Sequence, residues 1–314
     1  MVDRSRSDIH VPVMADEIVR LLATALDGAY LDLTTGLGGH LKALSVVLKP
    51  DARLYGFDKD AEALELARET LRHSTQLKQL INAPFADIDE KTGELQDRAF
   101  NGILLDLGLS SLQLDDPGRG FAFQQEGPLD MRFDQRAEIP TAADLVNSLN
   151  REDLADLLRQ YGEERQAARL AAAIVRERQK EVILTTTHLA EIVRQVARPP
   201  HQKKSLARVF QALRIAVNGE LDQLKEVLPK AVDLLTPGGR LAVISYHSLE
   251  DRAVKQFFRR EATDCLCPPK LPGCVCHHRA TIKEVNRRVI VPTQQEIAQN
   301  SRARSAKLRI AEKI

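Results

Sequence analysis

Asp32-Leu33-Thr34-Thr35-Gly36-Leu37-Gly38-Gly39-His40 is the stretch on which the fold turns. Residues 30–34 read as a short buried strand, and residues 40–48 read as a helix. A glycine turn between the two lets backbone approach a ligand with no Cβ in the way. The spacing Gly36-x-Gly38-Gly39 is not the dinucleotide pattern G-x-G-x-x-G. Taken alone, the turn is also compatible with a tight bend that binds nothing.

Outward from the turn, strands and helices alternate. Residues 53–58 form a second strand, with Asp58 at its end. Asp60 is placed to cap a helix over 61–71, and Glu62 suits the positive end of its dipole. Residues 79–82, 102–107 and 240–245 supply three more strands. This rhythm predicts an α/β fold with a parallel, doubly wound sheet. Residues 287–291 and 306–310 are candidates for a late antiparallel pair. The rhythm breaks at 115–138, too long for a plain connection. Phe121, Phe123, Leu129, Met131 and Phe133 make that stretch too apolar for disorder, so it reads as an ordered loop. Helices follow: 151–180 capped by Asn150, 188–197 capped by Thr187, and one long helix over 205–235. Phe210, Leu213, Val217, Leu221, Leu224 and Leu228 give the last one an apolar stripe. The expected division is a sheet domain of residues 1–114 and 206–314, with a mostly helical insertion at 115–205.

The 314 residues carry 45 Lys+Arg against 44 Asp+Glu, so overall charge does not argue for nucleic acid and any basic face must be local. The polar start, residues 1–10, lacks the apolar region of a secretory signal. No apolar run approaches the roughly 18 residues of a membrane helix, and the expected location is the cytoplasm.

Asp58 follows Gly36 by 22 positions and ends the second strand, where a carboxylate can accept both hydroxyls of a ribose. Turn plus acid points to an adenosine-type cofactor. Asp32 at the start of the turn would repel a pyrophosphate but can bind an amine, which favours S-adenosylmethionine (SAM) over a nicotinamide dinucleotide. Asp106-Leu107-Gly108-Leu109-Ser110-Ser111 places an acid and two hydroxyls at the carboxyl edge of the sheet. Phe85, after the third strand, can lie against adenine or simply pack in the core.

Several blocks, in order along the chain, resemble the RsmH (MraW) family of small-subunit ribosomal RNA cytosine-N4 methyltransferases. They are His10-Val11-Pro12-Val13, Asp106 to Ser111, Arg119-Gly120-Phe121-Ala122-Phe123, and Gly127-Pro128-Leu129-Asp130-Met131-Arg132. Phe210 to Asn218, His247-Ser248-Leu249-Glu250-Asp251-Arg252 and Asn300 to Arg309 continue the likeness. The resemblance implies a Rossmann-like SAM-dependent methyltransferase sheet with an inserted, mostly helical substrate domain. It implies methylation of the exocyclic N4 amine of a cytidine near the decoding centre. Cofactor positions carried over are Gly38, Gly39, His40, Asp58, Phe85, Asp106 and Gln113. Leu41 stands where the family commonly has serine, Glu126 where it has Asp, and Phe133 where it has Met.

The cytosine amine is a poor nucleophile, so alignment and acceptors for its N–H groups should carry catalysis. Related amino-methyltransferases use an Asp/Asn/Ser-Pro-Pro-aromatic motif after strand four, which Asp106-Leu107-Gly108-Leu109 is not. Candidate acceptors are Ser110, Asp130 and His247; the plain alternatives are an Asp130–Arg132 ion pair and a structural His247. Arg132, Arg214, Asn218, Arg302 and Arg304 are candidates for RNA contact. Basic clusters at Lys203, Lys204 and Arg208, at Arg287-Arg288, and at Arg302 to Arg309 suit phosphates, or equally a solvated surface. Partners would be small-subunit ribosomal RNA or the assembled subunit, without a membrane, and a homodimer is open. All four cysteines, Cys265, Cys267, Cys274 and Cys276, fall in one short segment. Four thiolates can close on a zinc ion; C-x-C spacing is less usual than C-x-x-C, and reduced thiols are the preferred reading. A DNA amino-methyltransferase, an NAD-dependent oxidoreductase and a catalytically silent, SAM-bound RNA-binding factor are the rival classes.

Overall fold

The computed structural model describes residues 12–268 and 274–314, without the side chains of Ser111 and Leu112. His10, Val11 and the polar start lie outside the described residues. Two compact units are present, one of Met1–Gly108 with Asp222–Ile314, the other of Leu109–Leu221.

The first stretch runs α1 (Ala15–Leu22), β1 (Ala29–Asp32), α2 (Gly39–Val47), β2 (Arg53–Asp58), α3 (Ala61–Leu71), β3 (Leu77–Asn82), α4 (Ile88–Thr92) and β4 (Phe100–Asp106). The second unit holds α5 (Ser111–Asp115), α6 (Ala142–Ser148), α7 (Arg151–Gly162), α8 (Ala167–Arg178), α9 (Thr186–Val196) and α10 (Gln202–Asn218). The chain then continues through α11 (Glu220–Asp233), β5 (Leu235–Ser245), α12 (Ser248–Glu261), β6 (Ile282–Glu284), α13 (Gln294–Gln299) and β7 (Lys307–Lys313). Among the described residues no helix is long and apolar enough to cross a membrane.

The sheet of the first unit has the order β3-β2-β1-β4-β5-β7-β6. Strands β1 to β5 pair in parallel, and β7 runs antiparallel to β5 and β6. This is the Rossmann-like α/β class. All four residues of β1 are buried, as a central strand covered on both faces requires. One apolar core joins Leu31, Phe57, Ile103 and Leu105 to Val227, Leu228, Val254 and Phe258. A second, with Ile18, Leu41, Leu44, Leu104 and Ile310, lies on the residues that alternate with these.

The helical unit has its own core, in which Phe121, Leu129, Met131 and Phe133 pack with Leu158, Ile174, Val193 and Phe210. The loop over 115–138 is therefore ordered by burial. Leu206, Val209 and Leu213 of α10 belong to the same core, so all of α10 falls in the helical unit. The return to the sheet unit comes at Asp222 rather than near 206.

Two expected helices are each divided. The expected helix over 205–235 is α10 and α11, separated at Gly219, whose φ of 60° is left-handed. Helix 151–180 is α7 and α8, separated at Glu163 with φ 50°. A left-handed residue ends the helical hydrogen-bond ladder, and glycine adopts it with the least strain. Asn150 and Asp60 cap as expected, by accepting from the N–H of Asp153 and from those of Glu62 and Ala63. The cap of α9 is Thr185, accepting from His188 N–H, rather than Thr187. β5 begins five positions before the expected strand start at 240. In the late antiparallel pairing, Ile290 makes only a single bridge to Leu308, and the paired strand is β6.

Candidate functional site

Strand order reverses between β1 and β4, where a crevice for a ligand opens in folds of this kind. β1 ends on Asp32, β2 on Asp58 and β4 on Asp106, three carboxylates along one edge. Asp58 Oδ2 accepts from Gly36 N–H at 2.7 Å and its Oδ1 from Asp60 N–H at 2.9 Å. Asp32 Oδ1 accepts from Thr34 N–H at 3.0 Å, and the Thr34 hydroxyl oxygen accepts from Asp106 N–H at 2.6 Å. His40, in the first turn of α2, sets Nε2 3.3 Å from Asp106 Oδ2. Tyr246, just past β5, donates its hydroxyl to Asp106 Oδ1 at 2.8 Å. The Asp106 carboxylate is thus held from both sides.

Burial governs the electrostatics. Asp32 is 1% exposed, and desolvation pushes its carboxyl up to about 7 against the opposing pull of His40 and Thr34. Asp58 is raised too, again by burial, with its two backbone donors acting against the shift. Burial depresses His40, but its contact with Asp106 and the charges of Asp106 and Asp32 outweigh that and raise it. Burial and the Asp106 carboxylate push the Tyr246 phenol well above its ordinary value. Asp32 Oδ2 and His40 Nδ1 are buried with no hydrogen-bond partner among the described residues. A buried carboxylate oxygen left so is costly unless a ligand donor meets it.

The glycines divide in purpose. A Cβ on Gly36 would meet nothing closer than a backbone oxygen at 3.9 Å, so the space beside it is open. A Cβ on Gly38 would press on Ala67 and Leu71 at 3.3 Å, which makes Gly38 a packing residue between α2 and α3. Phe85, after β3, is half-buried against the first core.

Tyr246 is the site residue that sequence reasoning missed. Its neighbour His247 caps α12: His247 Nδ1 accepts from Glu250 N–H at 3.3 Å, and Glu250 Oε2 accepts from the N–H of Tyr246 and of His247. Asp251 accepts from Arg309 at 2.7 Å and Lys307 at 3.1 Å. The blocks at 247–252 and 300–309 therefore meet, with Lys307 and Arg309 paired to Asp251. Arg302 and Arg304 lie in a short 3₁₀ turn at Ser301–Ser305, with Arg304 exposed.

Within the helical unit, Ser110 Oγ accepts from Gln113 N–H and Gln113 Oε1 from Ser110 N–H, both at 3.2 Å. Asp130 accepts from Arg132 Nε and Nη2, each at 2.8 Å. Burial pushes the Asp130 carboxyl up, and Arg132 outweighs that and holds it below the usual range. Asn218 is buried: its Oδ1 accepts from Phe133 N–H, and its amide donates to the carbonyls of Met131 and Arg214. Arg214 grips Glu220 with two nitrogens at 2.8 and 2.9 Å. Asn218 and Arg214, expected at RNA, thus hold the loop and the end of α10, and Ser110, Asp130 and His247 each have a structural occupation. Lys203 and Lys204 are exposed, and Arg208 faces the buried Glu164 at 3.9 Å. Arg287 and Arg288 are exposed. The sulfurs of Cys265, Cys267, Cys274 and Cys276 converge within 4.8 Å of one another.

Residues 7–314 match the family model described as "MraW methylase family". The chain is similar to a protein named Ribosomal RNA small subunit methyltransferase H from Caldicellulosiruptor saccharolyticus, 43% identical over 97% of this chain and 99% of that one. The protein of that name from Syntrophotalea carbinolica is 46% identical, over 97% and 98% of the two chains. That from Thermomicrobium roseum is 47% identical, over 98% and 94%.

Proposed function

The chain belongs to the MraW methylase family, and from that premise we propose that it transfers a methyl group from SAM to the exocyclic N4 amine of a cytidine in small-subunit ribosomal RNA, near the decoding centre. The observation that carries the cofactor assignment is Asp32 Oδ2, a buried carboxylate oxygen with no hydrogen-bond partner among the described residues, beside an open glycine turn. It fits the ammonium of a methionine moiety and would repel a pyrophosphate.

SAM, when bound, supplies an electrophilic methyl on a sulfonium. Asp32 takes the ammonium, and Asp58 takes the ribose hydroxyls with lone pairs left over from Gly36 and Asp60. Phe85 would lie against adenine. His40 and Tyr246 fix Asp106, so its orientation costs nothing to organise when substrate arrives. The cytosine amine has its lone pair delocalised into the ring, and proximity and alignment supply most of the rate. RNA contacts come from exposed cations such as Lys203, Lys204, Arg287, Arg288 and Arg304. Calorimetry tests the cofactor half: SAM binds and NAD does not. Tight NAD binding without SAM binding would end this reading.

A further inference from the structure

The four cysteines lie in the segment between α12 and β6, and no role is assigned to them above. Three of their sulfurs form a triangle, 3.5 Å from Cys265 to Cys274, 3.8 Å from Cys265 to Cys276 and 3.6 Å from Cys274 to Cys276, and with Cys267 all four lie within 4.8 Å of one another. Four thiolates about 2.3 Å from a tetrahedral zinc stand about 3.8 Å apart. A disulfide needs sulfurs at about 2.0 Å, and all four cysteines are free.

The backbone is arranged for the same purpose. Leu266, between the first two cysteines, donates its N–H to Cys276 Sγ at 3.3 Å. Val275, between the second two, donates its N–H to Cys267 Sγ at 3.3 Å. Each C-x-C pair thus supplies a backbone donor to a sulfur of the other. Among the described residues of the segment, the apolar Leu266 is 46% and Val275 69% exposed, so neither draws the sulfurs together by burial. The base is anchored, with Thr281 N–H donating to Glu261 O at 2.9 Å and His278 Nε2 3.0 Å from Arg260 O. That contact engages His278 Nε2, and the four sulfurs form the converging set of metal-ligating atoms.

We propose that Cys265, Cys267, Cys274 and Cys276 bind one Zn²⁺ as a closed tetrathiolate site. Binding displaces the thiol protons to solvent and ties the two C-x-C pairs together. With four protein ligands the ion has no open position, so its role is structural. This departs from the preference for reduced thiols drawn from spacing alone. C-x-C is uncommon, but the backbone donors give it a geometry that spacing does not reveal.

Elemental analysis of the full-length protein, purified without chelator, tests it. One zinc per chain is expected. A thiol-reactive dye should react slowly until chelator is added, and then with four thiols as one zinc is released. Cys265→Ser with Cys276→Ser should abolish zinc while helix content by circular dichroism and SAM binding persist. His278→Ala should keep the zinc. Metal-free protein with four immediately reactive thiols would overturn the proposal. So would iron in place of zinc, or zinc retained in the double variant.

Discussion

Asp58 spends one lone pair of each oxygen on backbone N–H groups, and the others are proposed to take the ribose hydroxyls. Asp58→Ala is expected to weaken SAM binding by roughly 10- to 100-fold, the worth of about 1.5–3 kcal/mol for a hydrogen bond to a charged group; calorimetry reads it. Asp32 sets a pH dependence. Its carboxyl, raised to about 7 by burial, is largely protonated below that value and must ionise to receive an ammonium. SAM affinity should therefore fall as pH drops through about 7, by up to about tenfold per unit, with a proton released on binding. The stability sign is opposite. Folding keeps this proton between the ordinary carboxylate pKa and about 7, so the ligand-free protein loses stability as pH rises across that window and then levels off. Asp32→Asn should flatten the affinity profile, weaken SAM, and raise the melting temperature more at pH 8 than at pH 5; a wild-type profile in the variant would remove Asp32 from the cofactor site. Asp58 and Asp60 were legible in sequence because a strand end and a helix cap are local patterns. Tyr246 was not, since its partner Asp106 lies 140 positions away.

Asn218 closes α10 and holds the loop, and both tasks are read at the level of elements. Asn218→Ala leaves Phe133 N–H and the Met131 carbonyl without their buried amide partner. A loss of about 2–4 kcal/mol from two such groups is expected in chemical denaturation, against no measurable change for the exposed Arg304→Ala. Equal stability of Asn218→Ala and wild type would show that the loop is held by its apolar side chains alone. The strand–helix alternation through β4 was legible, because buried parallel strands are short apolar runs between caps and turns. The breaks at Gly219 and Glu163 were not. The apolar stripe of 205–235 keeps its spacing across Gly219, and nothing in composition marks Glu163 as left-handed. Ser110, Asp130 and His247, the candidate acceptors for the amine, have partners only two or three positions away in Gln113, Arg132 and Glu250, contacts as local as a helix cap.

At the scale of the whole molecule, a Rossmann-like sheet unit carries the carboxylates proposed to bind SAM, and a helical unit is inserted between β4 and β5. The insertion was legible as a break in rhythm, and its end was misplaced because α10 continues the stripe of α11 while burying its own face in the helical core. The decisive measurement is methyl transfer itself. The protein is incubated with SAM carrying a labelled methyl group and small ribosomal subunits from a strain lacking this methylase, and the digested RNA is resolved into nucleosides. Label in N4-methylcytidine, lost with Asp58→Ala, is the predicted result. Label in a different nucleoside, or none on subunits and naked ribosomal RNA despite measurable SAM binding, would contradict the proposed substrate while leaving the fold as described.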